Sequence, residues 1–137
     1  MKGAIDVYNA ESIMVCVTQQ KTCERLIQRG ADLKNKLEGD LFVIHVAKEG
    51  VNFLGNKKEA DALEYLFEIS KGVGADLTVL RSANVTDTII EFAQNKKIEH
   101  IILGEPPIES KDEGIINKLK ERLPQCNFYI IPANELS

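Results

Sequence analysis

The chain has 137 residues, 44% of them apolar and 28% charged, with only 9 Gly and 4 Pro. A chain of this size removes roughly two thirds of its unfolded surface from water, enough for one proper core, and the composition excludes disordered, collagen-like and disulfide-scaffold classes. Seventeen Lys and Arg against 21 Asp and Glu leave a net charge of -4, which argues against general affinity for nucleic-acid backbone or anionic membrane.

Short β-branched runs alternate with longer stretches of helical period. Ser12 to Thr18 reads as a buried strand. Lys21 to Glu38 then carries Cys23, Leu26, Ile27, Gly30, Leu33 and Leu37 as an i, i+3, i+4, i+7 stripe, stopped by Gly39. Leu41 to Ala47 is the second strand. Asn56 and Glu59 form an N-x-x-E cap for a second helix whose inner face is Leu63, Leu66, Phe67 and Ser70, with Gly72 and Gly74 ending it. Asp76 to Arg81 is the third strand, and Asn84 caps a third helix that turns Val85, Ile89, Phe92 and Ala93 inward. Glu99 to Leu103 is the fourth strand. Ser110 to Glu113 makes an S-x-x-E capping box before Ile115, Ile116, Leu119 and Leu123, and Pro124 stops that helix. Cys126 to Ile131 supplies the last strand.

Five strands joined by four helices imply a doubly wound α/β sandwich: a Rossmann-like parallel sheet of order 3-2-1-4-5, covered on both faces. Residues 11–137 form that one domain, after a tail over residues 1–10. No run is long enough for the ~20 apolar residues of a membrane span, and Met1 to Ala10 has no apolar stretch of the secretory kind. The expected location is the cytoplasm. Cys16, Cys23 and Cys126 are odd in number and lack metal-ligand spacing, which suits reduced core thiols.

In a sheet of this order ligands sit outside the carboxyl ends of the strands, where strand order reverses. Two loops fall there. Thr18-Gln19-Gln20-Lys21-Thr22 offers hydroxyls, amides, an ammonium and a helix N-terminus, which favours an anion. It has no Gly, so it cannot wrap a pyrophosphate as a P-loop or GxGxxG turn does. The second loop, Gly104 to Gly114, carries four carboxylates against Lys111, and Pro106 and Pro107 remove two backbone donors. A polyphosphate would meet like charge there, only partly offset by Lys21 and Arg81. Simple helix capping and an acidic solvated loop are the plainer readings of these two segments. His45 and His100 lie within strands, without a nucleophile or acid in a carboxyl-end loop, and read as packing or surface residues. No catalytic set and no metal site is expected.

The stretch Ile13 to Leu37 (IMVCVTQQKTCERLIQRGADLKNKL) resembles the opening of the universal stress protein (UspA-like) domain found in KdpD osmosensitive potassium sensor kinases. The resemblance continues through Leu41 to Val46, Ala62 to Leu80, Val85 to Gly104 and Asn127 to Pro132, about nine tenths of the chain. It implies a regulatory or sensory module without chemistry of its own. Many members of that wider family bind ATP through an Asp ending strand one and G-x2-G-x9-G-[ST] after strand four. Here Thr18 stands at the Asp position and Gly104 matches the first Gly, but Pro107 replaces the second. The final pair falls on Asn117-Lys118 or, with a shorter loop, on Glu113-Gly114. The ATP motif is thus weakened. Cyclic di-AMP recognition in related domains uses a Ser-x-Ser and a Phe-Thr-Ala-x-Tyr; the matching positions Thr18, Gln20, Leu41, Phe42, Val43 and His45 keep one hydroxyl. A different adenine-containing ligand stacking over Val46 or Ala47 is the remaining small-molecule expectation, with no certain cofactor. The resemblance also implies a homodimer through the last strand and a signalling partner. Two readings of other classes stand beside it: a slow nucleotide hydrolase using Thr18, Lys21 and Glu105, and a docking module whose acidic loop binds a basic protein surface.

Overall fold

The structure, a computed structural model, describes residues 11–17, 20–49, 58–105 and 113–132, without the side chains of residues 20–22 and 113. Five strands, β1 (Ser12–Cys16), β2 (Asp40–Lys48), β3 (Asp76–Ser82), β4 (His100–Gly104) and β5 (Asn127–Ile131), alternate with four helices, α1 (Gln20–Leu37), α2 (Glu59–Gly72), α3 (Val85–Asn95) and α4 (Glu113–Arg122). All pairings are parallel, and the order is β3-β2-β1-β4-β5, as the sequence implies.

Strand alternation divides the core in two. Ile13, Val15, Val17, Leu41 and Val43 point to one face and pack with Cys23, Leu26 and Ile27 of α1 and Ala62 and Leu66 of α2. Met14, Cys16, Ile44, Val46, Ile101 and Leu103 point to the other, against Ile89, Ile90 and Ala93 of α3 and Leu119 of α4. The central strands are buried on both faces, so their sequences read as continuous apolar runs.

α1 lies close on the sheet because Gly30 lets it: a Cβ there would stand 2.5 Å from Val15 Cγ2 and 3.0 Å from Leu41 Cδ1. The helix ends differently from its expected glycine stop. Glu38 itself takes the left-handed conformation (φ 53°), and Gly39 is required by crowding, since a Cβ would lie 2.1 Å from the Glu11 carbonyl oxygen. Lys34 and Lys36 occupy the last turn, where the carbonyl ends favour positive charge.

α2 departs from its sequence reading at both the cap and the inner face. Asn56 lies outside the described residues, and the residue at the N-cap is Lys58, whose side chain makes no capping hydrogen bond to the helix. Its buried residues are Ala62, Leu66 and Ser70, whereas Phe67 is 51% exposed. Ala62, Leu66 and Ser70, at i, i+4 and i+8, form the buried stripe, and Phe67 lies off it. α3 follows expectation: the Asn84 side chain accepts from the Asp87 N–H at 3.1 Å. The Ser110 capping box falls outside the described residues, and α4 is described from Glu113. β5 begins at Asn127, with Cys126 donating from Sγ to the Ile98 carbonyl at 3.1 Å. No described helix is long and apolar enough to cross a membrane.

Candidate functional site

Strand order reverses between β1 and β4, which are neighbours in the sheet although three strands apart in sequence. The pairing of Val15 with Ile102 continues to set Val17 beside Gly104 at the carboxyl ends. α1 opens just after β1, with no acidic residue in its first turn, and α4 opens after the segment that follows β4. Two helix N-termini, whose first N–H groups have no acceptor within the helix itself, thus follow the two strands that flank the crevice.

Thr18 and Gln19 lie outside the described residues. Gln20 and Lys21 form the start of α1, at the mouth of the crevice. Gly104 is the last residue of β4, half-buried, and Gly114 the second of α4, where a Cβ would meet nothing within 4 Å. Val46 and Ala47 stand near the carboxyl end of β2 but are 8% and 6% exposed. They offer main-chain atoms to a ligand and little side-chain surface for stacking.

Arg81 is not brought to this crevice. It lies near the end of β3, opposite Ala47, and so three strands from β4, about 14 Å at ordinary strand spacing. Its guanidinium is engaged by Glu59 of α2 at 2.5 Å. The positive charge expected to offset the acidic segment after Gly104 is held at the other side of the sheet.

His45 is a buried packing residue, as its place in the strand implies, and its hydrogen bond to Val17, which sequence reasoning missed, falls beside the crevice. It shares strand parity with Leu41 and Val43, so its ring enters the α1/α2 side of the core, 3% exposed. Nδ1–H donates to the Val17 carbonyl at 2.7 Å, which fixes the neutral tautomer, because a carbonyl only accepts. Burial lowers its pKa; the Val17 bond opposes that and the Arg81 charge adds to it. This bond joins the carboxyl end of β1 to β2 immediately before the Thr18 loop. The available signal was the parity of a polar residue in a strand with an apolar face, since a buried ring needs a partner.

His100 makes the second missed network, at the opposite end of the sheet. Its ring is bound by Glu11 at 2.6 Å through Nε2 and by the Tyr129 hydroxyl at 3.1 Å through Nδ1. It ties the chain just before β1 to β5 and stands far from the crevice. Burial pushes the Cys16 thiol up to about 12 and that of Cys23 to about 11, so neither supplies a thiolate near neutral pH. Among the described residues no group of three His, Cys, Asp or Glu is placed to hold a metal ion.

No family model matches the chain. In sequence it is 28% identical over 125 residues, 88% of its length, to a putative sensor protein KdpD of Synechocystis, of which it spans about a third (33%). In structure it is similar to the universal stress protein UspA of Lactobacillus plantarum, with a TM-score of 0.66 at 16% identity, covering 88% of this chain and 97% of that one. It is similar also to a universal stress protein of Archaeoglobus fulgidus in complex with dAMP, with a TM-score of 0.55 at 17% identity and coverage of 89% and 96%. The chain has the Rossmann-like fold of universal stress proteins and is similar in sequence to part of a KdpD sensor protein.

Proposed function

We propose that the chain is a cytoplasmic, non-catalytic sensory module of the KdpD type that binds an adenine mononucleotide in the crevice between the carboxyl ends of β1 and β4. The observation that carries this reading is the reversal of strand order at Val17 and Gly104, where two helix N-termini follow the flanking strands. The dAMP held by the Archaeoglobus fulgidus neighbour supports the ligand class, and similarity to a sensor protein supports the regulatory role. The base would be held by main-chain atoms beside Val46 and Ala47 and by the Thr18 to Lys21 segment. One phosphate would lie near the start of α1 with Lys21, or near Gly104 and Gly114.

A triphosphate is disfavoured. The segment after Gly104 contributes Glu105, Glu109, Asp112 and Glu113 against Lys111, Pro107 replaces a glycine, and Arg81 is held by Glu59 on the far side of the sheet. Such a site recognises and does not turn over. Its output would pass to a signalling partner or through a homodimer paired along β5, whose outer edge has no neighbour among the described strands. Calorimetric titration with AMP, cyclic AMP and ATP tests the reading. AMP or cyclic AMP should bind, ATP should bind no more tightly, and Lys21→Ala should weaken the mononucleotide. No heat with any of them at millimolar concentration, or ATP hydrolysis lost in Lys21→Ala, would overturn it.

A further inference from the structure

At the side of the sheet remote from β4 and β5, β3 ends the order, and little in it blunts that edge. It pairs with β2 over seven consecutive residues without a bulge, contains no proline, and runs uncharged from Leu77 to Leu80. The Ser82 carbonyl accepts from the Glu49 N–H at 3.2 Å, so Ser82 addresses β2. By alternation Thr78 and Leu80 do the same, and Leu77 and Val79 turn their N–H and C=O groups outward. No described strand lies beyond them.

The surroundings of this edge are apolar and basic. A groove of about 650 Å³ wraps the first half of β3, with Phe42 and Lys96 on the α3 side and Phe67, Ser70 and Lys71 on the α2 side. The Lys71 ammonium lies over the Phe67 ring at 6.0 Å, and that of Lys96 over Phe42 at 5.6 Å. Lys34 adds a third ammonium close to Gly74, whereas among the described residues Asp76 is the only carboxylate lining the groove. Phe67 is 51% and Leu80 38% exposed, two of the three large apolar side chains that stand exposed among the described residues. Ser70 lines the same groove, and its buried hydroxyl has no hydrogen-bond partner among the described residues, which is uncommon for a buried polar group.

We infer that this edge accepts an extended acidic segment of another protein, which joins the sheet as a sixth strand beside β3. Its main chain pairs with Leu77 and Val79, and its apolar side chains cover Phe67 and Leu80. Adjacent residues of a strand point to opposite faces, so two neighbouring carboxylates reach Lys71 on one face and Lys96 on the other. A second copy of this chain fits less well, because antiparallel pairing of two β3 edges would set each basic groove against the strand end that carries the Arg81–Glu59 ion pair, which has no net negative charge to offer it.

Fluorescence anisotropy at low salt tests this with a labelled β-forming peptide of valines and threonines carrying two adjacent glutamates, against the same peptide with lysines. The glutamate peptide should bind, weaken with salt, and lose about tenfold in affinity to the Lys71→Glu/Lys96→Glu variant, while the lysine peptide should not bind wild type. Val79→Pro, which removes an outward N–H, should abolish binding. Equal binding of both peptides, undiminished binding to the double variant, or no binding to wild type at millimolar peptide would overturn the inference. Self-association seen by sedimentation and lost in Val79→Pro would also overturn it, by giving the edge to a second copy. None of these readouts involves nucleotide, so this inference and the mononucleotide site fail separately.

Discussion

Replacing glycine by alanine at two places in the helices should change stability in opposite directions. Gly30 and Gly72 both lie in helices, without a positive φ, so each substitution gains about 1 kcal/mol of helix propensity before packing is considered. At Gly72 a Cβ meets nothing within 4 Å, and the gain should remain, reduced to about 0.5 kcal/mol by its place in the last turn. At Gly30 the new carbon would stand 2.5 Å from Val15 Cγ2, more than about 1 Å inside the ordinary carbon–carbon separation. Val15 is fully buried in a central strand and β-branched, so it has no rotamer into which to retreat. Overpacking costs about 1–3 kcal/mol, and a contact as short as 2.5 Å belongs in the upper part of that range, about 2–3 kcal/mol; less about 1 kcal/mol of propensity, Gly30→Ala is net destabilising by about 1–2 kcal/mol. Urea unfolding of the two variants and wild type measures this directly. Val15→Ala combined with Gly30→Ala should recover part of the loss, as a favourable coupling in the double-mutant cycle. If Gly30→Ala matched Gly72→Ala in sign, or showed no coupling to position 15, the close seating of α1 on β1 would be refuted.

Three further outcomes are expected. Asn84→Ala removes the side-chain acceptor for the Asp87 N–H and should cost about 1 kcal/mol by thermal unfolding, with Asn84→Ser retaining most of it. Leu119→Ala empties a fully buried position between α4 and the sheet and should cost about 2–5 kcal/mol in urea. His45 has a depressed pKa when folded, so the unfolded chain takes up its proton first. The stabilising contribution is therefore present above the unfolded value near 6.5 and is lost as pH falls toward the folded one, at up to about 1.4 kcal/mol per pH unit. Urea stability of wild type between about pH 7 and pH 5 should fall more steeply than that of His45→Gln. Identical slopes would contradict the buried neutral ring bonded to Val17.

Much of the architecture was legible because burial on both faces leaves a direct record in the sequence. Ile13 to Val17 and Leu41 to Ala47 are short, Val- and Ile-containing apolar runs broken only by His45, the pattern of strands in a parallel sheet covered on both faces, and Asn84 marks its helix by local chemistry alone. Phe67 was misread because periodicity gives a stripe and not its rotation about the helix axis: Ala62, too small to draw notice, faces the sheet instead. Glu38 hides the end of α1, since a non-glycine in the left-handed conformation gives no sequence signal while the neighbouring glycine does. Strand order already puts Gly104 at the carboxyl end of β4 and Gln20 and Lys21 at the start of the helix after β1. The capture of Arg81 by Glu59 does not follow from it, because it joins residues 22 apart through the packing of α2 on β3. The same holds for His45 and Val17, 28 apart.

The central claim is that a mononucleotide is recognised between β1 and β4. Amide chemical-shift mapping of isotope-labelled protein during titration with AMP tests it most directly. The account predicts fast-exchange shifts confined to Val17, Ala47, Gly104 and Gly114 and their neighbours, with ATP producing no larger response. Shifts concentrated along β3, or an unchanged spectrum at millimolar AMP, would contradict it.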